Sequence, residues 1–463
     1  MVMVMMGLSF LQGPQVRWQT LVAFDLLMLL LASLIGWQNM RQRRRKDVYA
    51  LHVEVHTFPD LGAWGAGRNW FVAGVVVLIL VAGFFRFTNL GYAEYQGDEA
   101  RAALRAAAII QGYDDVLLIH KKGPTEILLP TAIYSLTGHL TETSARLPFA
   151  LANLTGLFAL FLLGWRLAGP PVGPLAGWFA AIFLALDGYF IGFARIVQYQ
   201  SVVFLMSVLA VVILYRLVRL PKALTRYLIL AAILLATGLL SHYEAALAAL
   251  PAAFFLGMLF WQQRERWFDI LKATVVAVFV GGAMLASFYL PFITHPHFQA
   301  TYTYLTDRRI GGSFPYNNLA DFFLRTTIYD TTYHVILLIG LTLLALYYAY
   351  RQGIGRLWAA LLTLTATGVM AMTFINPEWL RFGDTDLLVL PFTIFIAIAI
   401  FMPKLRAEER MLWLWFGGVM LLAFFFVEKP RTHVYTFFMP WMLLTGWALA
   451  RFSFSIRARA GHK

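Results

Sequence analysis

Asp98 and Glu99 stand side by side in a segment that begins Tyr92-Ala-Glu-Tyr-Gln-Gly, with Arg101 two residues further on. A carboxylate at such a place can act as a general base, taking the proton from an attacking hydroxyl or amine. Arg101 and Lys122 can neutralise a phosphate, Arg through a bidentate fork and Lys as a point charge. Arg431, in Lys429-Pro-Arg-Thr-His433, can reach a phosphate at a membrane interface, or simply snorkel. Arg195, Gln198, His242 and Glu244 are candidates for a sugar or acceptor pocket. No close metal-ligand spacing joins His120 and His242 with Glu99 or Glu244, so interfacial or hydrogen-bonded histidine is the preferred reading. No metal site is assigned, no cofactor is certain, and a divalent metal stays open. Arg308 and Arg309, in a glycine-containing loop, are either a phosphate contact or a solvated turn. Charges at a helix start can also serve only as caps.

The chain that must position these groups is 60% hydrophobic and 13% charged over 463 residues. A soluble domain carries about 25% charged residues. The composition therefore describes an all-α polytopic membrane protein. The net charge of +13 reads as basic loops on the cytoplasmic side, not as a nucleic-acid surface. Cysteine is absent, which excludes disulfides, thiolate metal sites and a thiol nucleophile.

A spanning helix needs about 20 apolar residues. Trp18–Trp37 is the first such run, followed by Arg41-Gln-Arg-Arg-Arg-Lys46. The positive-inside rule places that cluster in the cytoplasm and the N-terminus outside. Residues 1–68 thus read as an extra N-terminal helix and a basic linker. Residues 69–463 form the main transmembrane domain. Asn69–Phe87 runs outward and delivers the loop 88–146 to the outer face. That loop contains two amphipathic helices, Asp98–Gln111 and Pro124–Leu136. Eleven further spans follow: Leu147–Trp165, Val172–Phe190, Ser201–Leu217, Tyr227–Leu240, Ala245–Trp261, Ala273–Phe292, Val335–Tyr350, Leu357–Phe374, Leu387–Phe401, Met411–Val427 and Tyr435–Ala450. A second long outer loop occupies 294–332. The total is about 13 spans, with the C-terminus in the cytoplasm of a multi-pass cell-membrane protein.

Asp98-Glu-Ala-Arg101, then Lys122-Gly-Pro124, then Ala145-Arg-Leu-Pro148 resemble the GT-C membrane glycosyltransferases. More narrowly, they resemble the branch of protein O-mannosyltransferases and aminoarabinose lipid A transferases, with prokaryotic dolichyl-phosphate-mannose-protein mannosyltransferase-like proteins. The resemblance implies an inverting enzyme with a polyprenyl-phosphate-linked sugar donor and a protein or lipid/glycan acceptor. Asp98 is then the base, Glu99 assists with acceptor or metal, and Arg101 and Lys122 meet the donor phosphate. The chain departs from the pattern in Lys-Gly-Pro, where relatives often have Lys-Pro-Pro, and in His242-Tyr-Glu244, where a basic residue is common. A lipid or polysaccharide transporter or ligase of similar build is one alternative. A non-catalytic subunit bound to a membrane-protein partner is another. Neither the donor sugar, the acceptor, nor the oligomeric state is specified by the sequence.

Overall fold

The computed structural model describes residues 67–95, 97–306, 315–323, 330–383, 385–428 and 430–460. The expected span Trp18–Trp37, the basic cluster Arg41–Lys46, and Arg308 and Arg309 lie outside the described residues. So do the extra helix and basic linker expected over 1–68, apart from the first residues of α1.

The chain is a helical membrane protein. α1 (Gly67–Phe87) leads to the first long loop, where α2 (Gly97–Ile110) and α3 (Thr125–Thr137) pack on each other. α4 (Glu142–Ala168) starts from a capping box, with the Thr141 hydroxyl accepting from the Ser144 N–H. Such a box satisfies the unpaired amides of a first turn. α5 (Gly173–Leu186) and α6 (Gly188–Ala194) meet at a 69° bend at Asp187. α7 (Gln200–Arg219), α8 (Leu224–Ser241), α9 (Ala249–Gln262), α10 (Trp267–Thr294) and α11 (Phe298–Leu305) follow. α12 (Thr332–Ile375) runs 44 residues and leaves helical geometry at Gly355, φ 83°. The two spans expected over 335–374 are therefore two helices joined end to end at that kink. A two-stranded hairpin, β1 (Arg381–Phe382) with β2 (Thr385–Asp386), precedes α13 (Val389–Phe401), α14 (Ala407–Phe425) and α15 (Tyr435–Ala460).

Among the described residues, seven helices are long and apolar enough to cross a membrane, or eight if α5 and α6 together form one span. The expected figure of 13 is not reached by that criterion, for identifiable reasons. α13 has only 13 residues. α14 opens on Glu408, Glu409 and Arg410. Those acids are not solvated. Glu408 pairs with Arg219 and, at 3.6 Å, with Arg406. Glu409 pairs with Arg451 and accepts from Gln352 at 2.8 Å. Arg406 also donates to the carbonyls of Leu167 and Ala168 at the C-terminus of α4, where the helix leaves acceptors unpaired. This basic, ion-paired end of the bundle is opposite the end that carries Asp98.

One apolar core runs through α4, α5, α7, α8, α9, α12, α14 and α15. α15 lies directly on α5. A Cβ at Gly446 would stand 2.5 Å from the Ala180 nitrogen, so the backbones touch there only because the residue has no side chain.

Candidate functional site

The first loop is anchored by a buried ion pair. Arg146, in the first turns of α4, donates from Nε and Nη2 to the two oxygens of Glu99 at 2.7 and 2.8 Å. Its Nη1 donates to the Leu90 carbonyl at 2.6 Å, and the Val197 N–H donates to Glu99 Oε1 at 3.0 Å. Both side chains are buried. Glu99, expected beside Asp98 in the chemistry, is turned away from the open space and spends its charge on holding α2 against α4. The pattern Asp-Glu at a helix start places consecutive side chains about 100° apart, so one faces the bundle while the other faces the cavity.

Asp98 is the one facing the cavity. Its Oδ1 accepts from Arg101 at 3.1 Å and its Oδ2 from Lys122 at 3.1 Å. Partial burial pushes the carboxyl's pKa up, but Lys122, Arg101 and the neighbouring His120 outweigh it and hold it below the ordinary value of 3.8. Lys122 also lies 3.5 Å from Glu126 Oε1. Glu126 is fully buried and meets His120 Nε2 at 2.7 Å, while the other ring nitrogen of His120 contacts Arg105. Burial lowers the His120 pKa; the Glu126 hydrogen bond and charge oppose this only in part, while Arg105 and Lys122 add to it. A continuous string of charge thus runs Arg101, Asp98, Lys122, Glu126, His120, Arg105.

Lys122 is placed by its neighbour. A Cβ on Gly123 would stand 1.8 Å from the Leu240 carbonyl oxygen and 2.8 Å from that of Ser241. The turn therefore seats its backbone on the C-terminus of α8. Thr125 donates to the Leu240 carbonyl and accepts from the Ser241 hydroxyl at 3.0 Å. This is why Lys-Gly-Pro is found here: the middle residue has no room for a side chain.

The string of charge borders a cavity of about 870 Å³. Asp98, Arg101, Arg105, Lys121 and Lys122 line one side; Tyr189, Phe193, Tyr199 and Tyr243 supply an aromatic wall; Gln198, His242 and His433 complete it. Lys122 stands over the Tyr199 ring at 5.2 Å, and Tyr199 stacks on His242 with centroids 3.9 Å apart. Glu244 reaches both His242, at 3.4 Å, and His433. Donor atoms of His242, Glu244 and His433 all lie within 4.8 Å of one another. Two imidazoles and a carboxylate are suitable ligands for a borderline cation.

The structure thus brings together Asp98, Arg101, Lys122, Gln198 and His242, with Glu244 just behind His242. It does not bring in Arg195, which donates to the Phe85 and Asn89 carbonyls and closes the end of α1. Arg431 heads the short turn before α15, and its side chain lies outside the described residues. Arg105 went unnoticed in the sequence. The signal was present: Asp98, Arg101 and Arg105 are spaced i, i+3, i+7, which is one face of a helix. Nothing in the sequence marks His433 as a partner of Glu244, because that contact depends on how α15 docks.

Residues 121–290 match the family described as dolichyl-phosphate-mannose-protein mannosyltransferase. The matched segment begins at Lys121 and Lys122 and supports the resemblance to GT-C membrane glycosyltransferases. A search of curated proteins gives no match. Among solved structures, the chain is similar to ArnT from Cupriavidus metallidurans bound to undecaprenyl phosphate, at 15% identity and TM-score 0.49, covering 83% of this chain and 60% of that one. It is also similar to the oligosaccharyltransferase AglB from Archaeoglobus fulgidus in complex with an inhibitory peptide and a dolichol-phosphate, at 14% identity and TM-score 0.47, covering 85% of this chain and 51% of that one. The chain therefore spans between half and three fifths of the length of these proteins, and no residue role is carried over from them.

Proposed function

We propose that the protein is an integral-membrane glycosyltransferase that moves a sugar from a polyprenyl-phosphate donor to a protein or lipid/glycan acceptor on the outer face, with Asp98 as general base. The observation that carries this reading is the pairing of Asp98 with both Arg101 and Lys122 at the edge of a large cavity that also presents Arg105 and Lys121. Four cations against two carboxylates, Asp98 and the buried Glu126, leave a positive surplus suited to an anionic substrate beside a group that needs deprotonation. The family match over 121–290 supports the same class.

The proposed step is a direct displacement. Asp98 accepts the proton of the acceptor hydroxyl or amine. The acceptor atom bonds to the anomeric carbon on the face away from the phosphate. The carbon–oxygen bond to phosphate breaks, and the lipid phosphate leaves with the electron pair. One displacement inverts the anomeric centre. Arg101 and Lys122 play two parts in turn. With the cavity empty they hold Asp98 ionised. When a donor phosphate enters, it competes for the same cations, and Asp98 regains proton affinity where a base is needed. Tyr199 and Tyr243 offer flat faces for a sugar ring. Where a cation binds at His242, Glu244 and His433, it would supply electrostatic stabilisation of the leaving phosphate.

The test is transfer of a labelled sugar from a polyprenyl-phosphate donor in membranes carrying the protein. Asp98→Asn is expected to lower transfer by about 10²–10⁴-fold, the range for a lost general base, at unchanged protein level. Wild-type rates in that variant would exclude Asp98 as the base.

A further inference from the structure

A second cluster of ligating side chains lies outside the cavity, at the bend between α5 and α6. Asp187 is completely buried. Its Oδ1 accepts from the Phe190 N–H at 2.9 Å and so caps α6. Asp330, two residues before α12, accepts from the Gly188 N–H at 2.6 Å through its own Oδ1. His334 projects from the first turn of α12 and brings its Nε2 to 3.8 Å from Asp187 Oδ2. Each carboxylate is thus held by a backbone amide on one oxygen, and Asp187 turns its other oxygen toward the imidazole. Asp187 Oδ2, Asp330 Oδ2 and His334 Nε2 are all buried, and none has a hydrogen-bond partner among the described residues. Donor atoms of the three residues lie within 4.8 Å of one another.

A proton shared between Asp187 and Asp330 satisfies the two acids but leaves His334 Nε2 buried and unpaired. A bound cation engages all three groups, and an unmet buried polar atom is costly. Arg86 does not fill that role through hydrogen bonds. Its guanidinium donates to Asn153 and to the carbonyls of Ala82, Leu184 and Ala185. We propose that Asp187, Asp330 and His334 bind a zinc ion as three protein ligands, with water as the fourth, and that the ion holds the two elements, α6 and α12, together. Two carboxylates and one imidazole match the ligands that Zn²⁺ takes at about 2.0–2.2 Å. Tetrahedral ligands at those lengths stand about 3.4 Å apart, a few tenths of an ångström inside the 3.8 Å separation of His334 and Asp187. The backbone amides on the remaining oxygens are the kind of outer contact that orients metal ligands. The ion ties the start of α12, and with it the end of the second long loop, to α6. Because α6 contributes Tyr189 and Phe193 to the cavity wall, the site fixes that wall from behind. The inference does not rest on the transferase reading.

The experiment is zinc binding by the purified full chain in detergent or nanodiscs. Protein stripped with EDTA is incubated with ZnCl₂, desalted and assayed for metal per chain. Cobalt loading in parallel gives visible absorption from a tetrahedral site. The His433→Ala variant, which disables the cavity cluster, is expected to keep this zinc and the cobalt spectrum. His334→Ala and Asp330→Asn are each expected to lose one zinc per chain, the cobalt signal and the zinc-dependent rise in unfolding temperature. Asp330→Asn retains size and shape, so its elution as a single species separates lost binding from lost folding. Equal zinc in wild type and in a folded His334→Ala or Asp330→Asn protein would overturn the proposal. So would a folded wild type that takes up no zinc, which would leave a proton shared between the two acids.

Discussion

Asp98 and Glu99 are neighbours in sequence with different physical situations. Asp98 is partly open and paired with Arg101 and Lys122; Glu99 is sealed against Arg146. Substitutions separate the two. Asp98→Asn is expected to leave stability nearly unchanged and to remove transfer. Glu99→Gln is expected to cost about 3–5 kcal/mol, because it strands the Arg146 charge. A thermal melt of the two variants reads that contrast. The pH profile follows from the same groups. Because the Asp98 pKa is lowered, the acid limb of kcat/KM, which reports free enzyme, is expected below the ordinary carboxylate value. The acid limb of kcat is expected higher, since donor phosphate draws Lys122 and Arg101 away. His120 gives a stability signal. Its folded pKa lies below that of the unfolded chain, so the unfolded state binds more protons in between. Its contribution is therefore full above about pH 6.5 and is lost as pH falls toward the folded value. Unfolding midpoints of wild type and His120→Gln at pH 7.5 and 5.5 check this: the difference between them is expected to shrink at the lower pH.

The elements explain why such residues meet. α2 docks through the Glu99–Arg146 pair, and the Lys122 turn docks through Gly123 on the end of α8. Gly123→Ala is expected to displace Lys122, lowering both donor affinity and the unfolding midpoint. Lys122→Ala is expected to affect donor affinity with little loss of stability. Comparing KM and the melting temperature of the two variants distinguishes placement from charge. The helices of the first loop were readable from sequence to within a residue or two: 98–111 against Gly97–Ile110, and 124–136 against Thr125–Thr137. Apolar periodicity and Gly112 sufficed there. Asp187-Gly188 interrupts its apolar run but does not say whether the chain bends or continues. Arg351-Gln-Gly-Ile-Gly-Arg356 reads as a loop between two spans where the structure has a kink at Gly355, because such local signals mark a break without giving its angle. Asp98, Arg101 and Lys122 were recoverable as a site because they fall within one loop. His242 and Glu244 were recoverable as pocket candidates, but their partner His433 was not, since 189 residues separate Glu244 from His433 and only the packing of α15 on the bundle closes that gap.

For the whole molecule, two ends differ in kind. One is basic and locked by Arg219–Glu408 and Arg451–Glu409 pairs; the other holds the cavity, Asp98 and the second long loop. The cavity end is expected to face outward and the basic end the cytoplasm, following the positive-inside rule. The chain has no cysteine, so single cysteines at the exposed positions Gln111 and Glu265 test this cleanly. An impermeant thiol reagent applied to intact cells is expected to label the first and spare the second. The central claim is transfer chemistry at Asp98, and its most direct test is movement of labelled sugar off a polyprenyl-phosphate carrier. Membranes containing wild-type protein are expected to pass the label to an acceptor and release the lipid phosphate, while equal amounts of folded Asp98→Asn protein do neither. Label transferred equally by both, or by neither with donor and acceptors supplied, would contradict the account.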